Sequence, residues 1–315
     1  MDIFSHLVFG ALMYLLFFRN VTYDYFFLAI FFVVLLDFDV FLTPLKRKFK
    51  SNYLDHRGGS HSYIIGMIIS LIVSLIYSPL TNKPFFIVWV IGTLFYSIHV
   101  SQDILTTTKI PCFYPLSKKE YGFYVEKAGS FFTLINSMIF LTLLAIFYLN
   151  SVDLIFYVIL VDFYTYFFLI YYLYRIMTKI LISSRLRSDQ KYFPGVLPFI
   201  YLVLDHKIEN NHISFRLVKK SHFSKSKEIL STDTFLNPEE MIFFKKALEK
   251  CNNIYYYAKW TIFPKFIRNK GAFSVRFYFL EIMMNKNSMY IQFNFDILTQ
   301  HVISINQKRG SFQSV

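Results

Sequence analysis

The feature that most limits this fold is a series of apolar runs. Residues 3–18, 25–42, 62–80, 85–105, 131–149 and 152–176 are each long enough, or nearly so, for a helix to cross a bilayer. Lipid offers no partner to backbone N–H and C=O groups, so such runs must satisfy them internally as helices. The last four are full-length. The first is short, and the second contains Asp37 and Asp39, so this pair is expected to be tilted or partly re-entrant. The chain is 55 % hydrophobic and 21 % aromatic, which excludes an ordinary soluble domain. The first run follows Met1-Asp2 without a basic flank or a small-residue cleavage site, and is expected to be retained as a helix.

Basic residues in the short loops orient the spans. Lys46, Arg47, Lys48, Lys50 and Arg57 follow the second run, and Lys109, Lys118, Lys119 and Lys127 follow the fourth. Arg175, Lys179, Arg185, Arg187 and Lys191 follow the sixth, whereas the opposite loops carry only Arg19 and Lys83. Six spans put every basic loop on one side, with both termini cytoplasmic. The formal charge of +13 therefore fits a membrane surface better than a nucleic acid, and no nucleic-acid partner is expected. Cys112 and Cys251 fall in separate regions on that same side and are expected to stay reduced.

The expected architecture is an all-α polytopic membrane domain of about six transmembrane helices over residues 1–184. A small α+β cytoplasmic domain follows over 185–315. Within it, Asn237-Pro238-Glu239-Glu240 starts a helix: Asn as cap, Pro in the first helical position, acids in the first turn. Met241, Phe244, Leu248 and Cys251 then recur at helical spacing. Residues 273–280 and 288–296 read as strands, and in the second Ile291, Phe293 and Phe295 alternate with Gln292, Asn294 and Asp296.

Chemistry concentrates in the membrane half. His6 opens the first run, Asp37 and Asp39 close the second, His56 and His61 precede the third, and His99 and Asp103 close the fourth. Alternating spans return all of them to one membrane face. His99 and Asp103 stand at i and i+4, on one side of a helix, where two ligands can share an ion. Carboxylates at the end of an apolar run need partners, and at i and i+2 they imply that the helix ends or distorts there. In His56-Arg57-Gly58-Gly59-Ser60-His61-Ser62 the glycines permit a tight backbone that turns both imidazoles inward. Arg57 can grip an anionic oxygen in a forked contact. Singly, each residue has a plainer reading as a helix-end histidine, an interfacial aspartate or one more positive-side arginine. Four histidines and three aspartates on one face argue instead for a divalent metal, Zn²⁺ first, with Mn²⁺ or Fe²⁺ as alternatives. Asp162, inside the sixth run, is given no role.

These residues carry a family resemblance. His6-x-x-x-Gly10, Asp37-x-Asp39, His56-Arg57-Gly58-Gly59-Ser60-His61-Ser62, and His99-x-x-x-Asp103-x-x-Thr106 ahead of Pro111 and Pro115 resemble the YdjM-like membrane-bound metal-dependent hydrolases. Phe193-Pro194-Gly195-Val196-Leu197-Pro198 is similar to the segment after that family's last span. The resemblance covers about residues 1–200. Ser60 stands where the family usually has Thr, and Leu36 where a Pro often precedes the first Asp. The family is in turn distantly similar to zinc-dependent phospholipase C and P1-type nucleases.

The resemblance implies a hydrolase in the cytoplasmic membrane, acting at the cytoplasmic face on a phosphoester or lipid-like substrate. His6, Asp37, Asp39, His61, His99 and Asp103 are the expected metal ligands. Arg57 is expected to hold an anionic group in catalysis, and His56 to act with it at the reacting centre, either as a further metal ligand or as a group supporting the ligands. The rival is a metal-ion transporter or a non-catalytic membrane protein with a structural metal. Ion pathways also use intramembrane Asp and His, but they need polar residues at several depths, and here only Asp162 lies deep.

Overall fold

The computed structural model describes residues 2–18, 23–42, 48, 57–254, 258–269, 271–283 and 287–312. The chain divides into two compact units, Met1–Thr178 and Lys179–Val315.

The first unit is helical. It contains α1 (Ile3–Phe17), a 3-10 turn (Tyr23–Tyr25), α2 (Phe26–Leu35) running into a 3-10 segment (Leu36–Leu42), α3 (Tyr63–Thr81), α4 (Phe85–Leu105), α5 (Phe131–Leu149) and α6 (Leu154–Ser183). Among the described residues, α3 to α6 are the four helices long and apolar enough to cross a membrane. Of the about six spans expected, four are of membrane-crossing length; α1 and α2 before them are shorter. The 15 residues of α1 measure about 22 Å. In the second apolar run the α-helix stops after ten residues, and Asp37 and Asp39 fall in the 3-10 segment.

Local chemistry sets these boundaries. Asp2 caps α1 by accepting the Ser5 N–H at 2.9 Å. Ser62 caps α3 by accepting the Ile64 N–H at 3.2 Å, and its hydroxyl donates to the Tyr114 carbonyl at 2.5 Å. The second contact ties the start of α3 to the loop beyond α4. Helices α1, α2 and α4 share a core containing Tyr14, Phe32, Phe95 and Tyr96, while Val8 and Leu12 of α1 pack with Phe140, Leu160 and Tyr164 of α5 and α6.

Close approach of α3 to α4 needs Gly66, because a Cβ there would run into the ring of Tyr96. That ring is fully buried, and its hydroxyl donates to the Ser60 carbonyl at 2.5 Å. Gly66→Ala is therefore expected to cost about 1–3 kcal/mol through overpacking. Thermal unfolding in detergent checks this, with lipid-facing Ile72→Ala as a control that leaves the transition in place.

Arg175 corrects the charge reading. It lies inside α6, not beyond it, fully buried, with Nη2 3.0 Å from Glu126 Oε1. The Tyr171 hydroxyl donates to the other Glu126 oxygen. Lys127 is also buried, and burial pulls its amine down to about 8. Two of the residues counted for orientation are thus buried inside the protein. Asp162, from α6, lines an apolar cavity of about 410 Å³ with Leu144, Tyr157 and Thr165.

The second unit holds two four-stranded antiparallel sheets, each in chain order among the described residues. The first is β1 (Gln190–Pro194), β2 (Ile200–Glu209), β3 (His212–Ser221) and β4 (Lys227–Phe235). The second is β5 (Ile262–Asn269), β6 (Ala272–Phe279), β7 (Asn287–Asp296) and β8 (Val302–Ser311). Helix α7 (Pro238–Asn253) connects them and starts with the expected Asn237 cap, completed by Glu240 into a capping box. Phe243 of α7 stacks on Phe295 at 5.0 Å, and Phe244 meets Phe277 edge-on at 6.0 Å. The apolar face of the alternating β7 strand is therefore covered by α7. The sheets join where the Thr232 hydroxyl donates to the Pro264 carbonyl at 2.8 Å. Cys112 and Cys251 are both free and buried.

Candidate metal centre

Four separate segments deliver the polar residues. His6 comes from the first turn of α1, Asp37 and Asp39 from the 3-10 segment after α2, Arg57 and His61 from the approach to α3, and His99 and Asp103 from the end of α4. The structure brings all seven together. His56 lies outside the described residues.

Asp103 is the hub, fully buried. Its Oδ1 is 3.4 Å from His6 Nε2, and its Oδ2 is 3.2 Å from His61 Nε2 and 3.6 Å from His99 Nε2. Arg57 Nε stands 3.3 Å from the same Oδ2. Asp37 Oδ1 lies 4.0 Å from His99 Nε2. The His6 and His99 rings stack at 3.7 Å, and His61 meets His99 edge-on at 5.3 Å.

Each imidazole turns Nε2 inward because its Nδ1 is engaged outside. His6 Nδ1 lies 2.5 Å from the carboxamide oxygen of Gln102, which accepts its proton. His99 Nδ1 donates to the Val33 carbonyl at 2.6 Å. His61 Nδ1 faces Asp39 Oδ2 at 3.1 Å. An acceptor at Nδ1 fixes the tautomer and leaves the Nε2 lone pair pointing at the centre. Burial disfavours a charged His61, but the carboxylates of Asp103 and Asp39 on its two nitrogens outweigh burial and raise its pKa above the ordinary histidine value.

Asp39 differs from the other carboxylates. The same Oδ2 that faces His61 accepts the Arg57 backbone N–H at 3.1 Å and the Ser60 hydroxyl at 2.7 Å. Its geometry is that of a group holding His61 and the turn in place. The hydroxyl kept by Ser60 has its use in this contact. The turn also differs from the expected one: Gly58 and Gly59 are buried, and the left-handed residue is Arg57, at φ 59°. A side chain in that region costs roughly 1–2 kcal/mol, and here it aims the arginine. Arg57 Nη1 donates to Thr108 Oγ1 at 2.8 Å. Arg57 and Asp37 have the more exposed side chains of the cluster, at 12 % and 13 %, whereas His6, His61, His99 and Asp103 are at zero.

Two triads could each hold an ion: His6, Asp37 and His99, and His61, His99 and Asp103, with ligand atoms in each within 4.8 Å of one another. His6 Nε2, His99 Nε2 and Asp37 Oδ2 are buried and have no hydrogen-bond partner among the described residues. Buried polar atoms are rarely left so. Sequence reasoning missed Gln102, Thr108 and the Val33 carbonyl. Gln102 could have been found as the neighbour of Asp103 on an otherwise apolar helix; a backbone carbonyl leaves no trace in sequence.

Residues 1–179 match the model of a family described as YdjM inner membrane protein. No curated protein and no solved structure matches the chain.

Proposed function

The chain belongs to the YdjM inner membrane protein family, and from that premise we propose that it is a membrane-embedded, metal-dependent hydrolase acting on a phosphoester. One observation carries the reading. Three histidine Nε2 atoms converge on Asp103 while each Nδ1 faces a separate acceptor: Gln102, Val33 or Asp39. That is the arrangement of metal-ligating histidines backed by oriented acceptors.

The donor set fits a divalent ion, since orphaned lone pairs on His6, His99 and Asp37 would gain a partner. Mixed imidazole and carboxylate donors favour Zn²⁺, with Mn²⁺ or Fe²⁺ as alternatives. His6, Asp37, His61, His99 and Asp103 would hold it, and Asp39 would orient His61. When bound, a divalent ion supplies Lewis acidity to a phosphoryl oxygen and acidifies water.

The chain's own residues do the rest. Gln102, Val33 and Asp39 fix the imidazoles. Arg57, among the less buried members of the cluster and braced by Thr108, neutralises charge developing on an anionic substrate. His56 is proposed beside the reacting centre on its sequence position. A lipid phosphoester is the favoured substrate, because His6, His99 and Asp103 sit at helix ends, where headgroups lie. The face is proposed to be cytoplasmic from Lys109, Lys118 and Lys119 in the loop beyond α4. A cysteine introduced into that loop is expected to resist labelling from outside intact cells.

The test is release of phosphate or headgroup from lipid phosphoesters in the presence of Zn²⁺ or Mn²⁺. Arg57→Ala is expected to leave metal content unchanged, since a guanidinium ligates no cation, and to lower turnover about 10²-fold, as for loss of one electrostatic donor. Metal uptake into proteoliposomes without turnover of any ester would replace this reading with the transporter.

A further inference from the structure

The β-rich unit has one end unlike the rest of its surface. At the β3–β4 turn, residues 219–227 carry Lys219, Lys220, Lys225 and Lys227 and no acid. Phe223, at the tip, is 83 % exposed. The β1–β2 loop lies alongside: the His222 N–H donates to the Phe199 carbonyl at 3.3 Å, and the rings of Phe199 and Phe223 meet edge-on at 5.7 Å. That loop adds Pro198 and the exposed Leu197. Two loops distant in sequence thus build one apolar tip ringed by lysines.

The lysines of this tip have no ion-pair partner among the described residues. Lys219 and Lys227 are register partners across β3 and β4, and like charges directly opposite each other repel. The next acid, Glu228, is engaged by Arg216, whose Nε donates to it at 2.5 Å. The other end of the sheet is mixed in charge, with Lys207 paired to Glu209 at 2.7 Å and Arg187 to Asp205 at 3.1 Å. There the β2–β3 turn carries Glu209, Asn210 and Asn211, with Asp205 and Asp233 close behind on their strands. The imbalance extends to the whole unit: residues 179–315 hold 21 Lys and Arg against 10 Asp and Glu, out of 33 and 20 in the chain.

We propose that this tip docks on the anionic surface of the bilayer in which the chain is embedded, with Phe223 at the headgroup–hydrocarbon boundary and the four lysines on anionic lipid. The chemistry is complementary on both counts. An aromatic side chain suits the interface, and each lysine near an anionic membrane surface strengthens partitioning by roughly fivefold. The membrane is also the partner always at hand, because the unit is covalently joined to membrane-crossing helices and so meets lipid at high effective concentration. This docking is independent of the metal centre.

The test uses the full chain in nanodiscs of phosphatidylcholine alone or with phosphatidylglycerol. Ser224→Cys, labelled with an environment-sensitive fluorophore, reports the tip; Asn210→Cys reports the opposite end. Native Cys112 and Cys251 are buried. A blue shift and quenching by spin-labelled lipid are expected at residue 224 in phosphatidylglycerol discs. Neither is expected at residue 210. Replacing Lys219, Lys220, Lys225 and Lys227 with Gln should abolish the response at 224, and Phe223→Ser should remove the quenching. The Asn210 label has unchanged emission in each variant if the fold is intact, so loss of response is not mistaken for unfolding. An unresponsive label at 224 in phosphatidylglycerol discs, an equal response at 210, or a response at 224 to single-stranded nucleic acid or an acidic peptide in place of lipid would each overturn the proposal.

Discussion

If the proposed metal-dependent hydrolase reading holds, Asp103→Ala is expected to strip the divalent ion from the purified protein and abolish hydrolysis with it. The carboxylate is within 3.6 Å of the inward nitrogen of all three histidines and beside Arg57. Without it, the imidazoles and the guanidinium surround a hole, and one triad loses its only carboxylate. Gln102→Leu provides the scale. It removes the acceptor on His6 Nδ1 but no ligand, and such changes lower metal affinity about 10–100-fold. Asp103→Ala must exceed that loss. Metal per polypeptide by mass spectrometry, followed by zinc titration of the stripped protein, measures both. Asp103→Asn preserves shape and separates loss of charge from collapse of the site. Full metal content in Asp103→Ala would show that no ion depends on this centre.

The buried pair of Glu126 and Arg175 provides the second large effect. Arg175→Ala leaves Glu126 without its cation in an apolar surround, a loss of about 3–5 kcal/mol. For a protein of this size, that lowers the melting temperature by roughly 10 °C. Glu126→Gln with Arg175→Met removes both charges and should recover most of the loss. Melting curves of the single and double variants in one detergent decide it. The two singles combining additively would show that the contact is energetically idle. Activity should fall only as far as the fold does. Glu126 does link to the site: its backbone N–H donates to Leu105, two residues beyond Asp103, at 3.0 Å.

How far the sequence revealed all this depends on which forces wrote the pattern. His6, Asp37, His99 and Asp103 were legible because charge at the end of an apolar run is costly and stands out. Strand β7 was legible because Ile291, Phe293 and Phe295 face α7 while Gln292 and Asn294 do not. The first sheet was not. In β2 the buried residues Val203 and Leu204 are adjacent, and the end of the strand is exposed, so period-2 alternation never develops. Arg175 was misread for a related reason. Hydropathy places the end of a span where charge begins, but a charge with a buried partner 49 residues away in the chain lets the helix continue. Asp39 was legible as a polar residue needing partners; its attachment to His61 and Ser60 depends on a fold that brings residues 39 and 61 together. The left-handed Arg57 beside two glycines runs against ordinary turn chemistry; its contacts with Asp39, Asp103 and Thr108 hold it there.

Helix α1 raises a question of biogenesis. At about 22 Å it is shorter than the roughly 30 Å hydrocarbon core, and its first turn carries a fully buried histidine. Val33 packs against Gly10, while Gln102 and Asp103 engage His6. All of these partners lie downstream. During synthesis α1 therefore leaves the ribosome before these partners of His6 and Gly10 are made. Its final seat depends on the arrival of α4, some ninety residues later. The histidine end of α1 is thus secured only by a helix made much later in the chain.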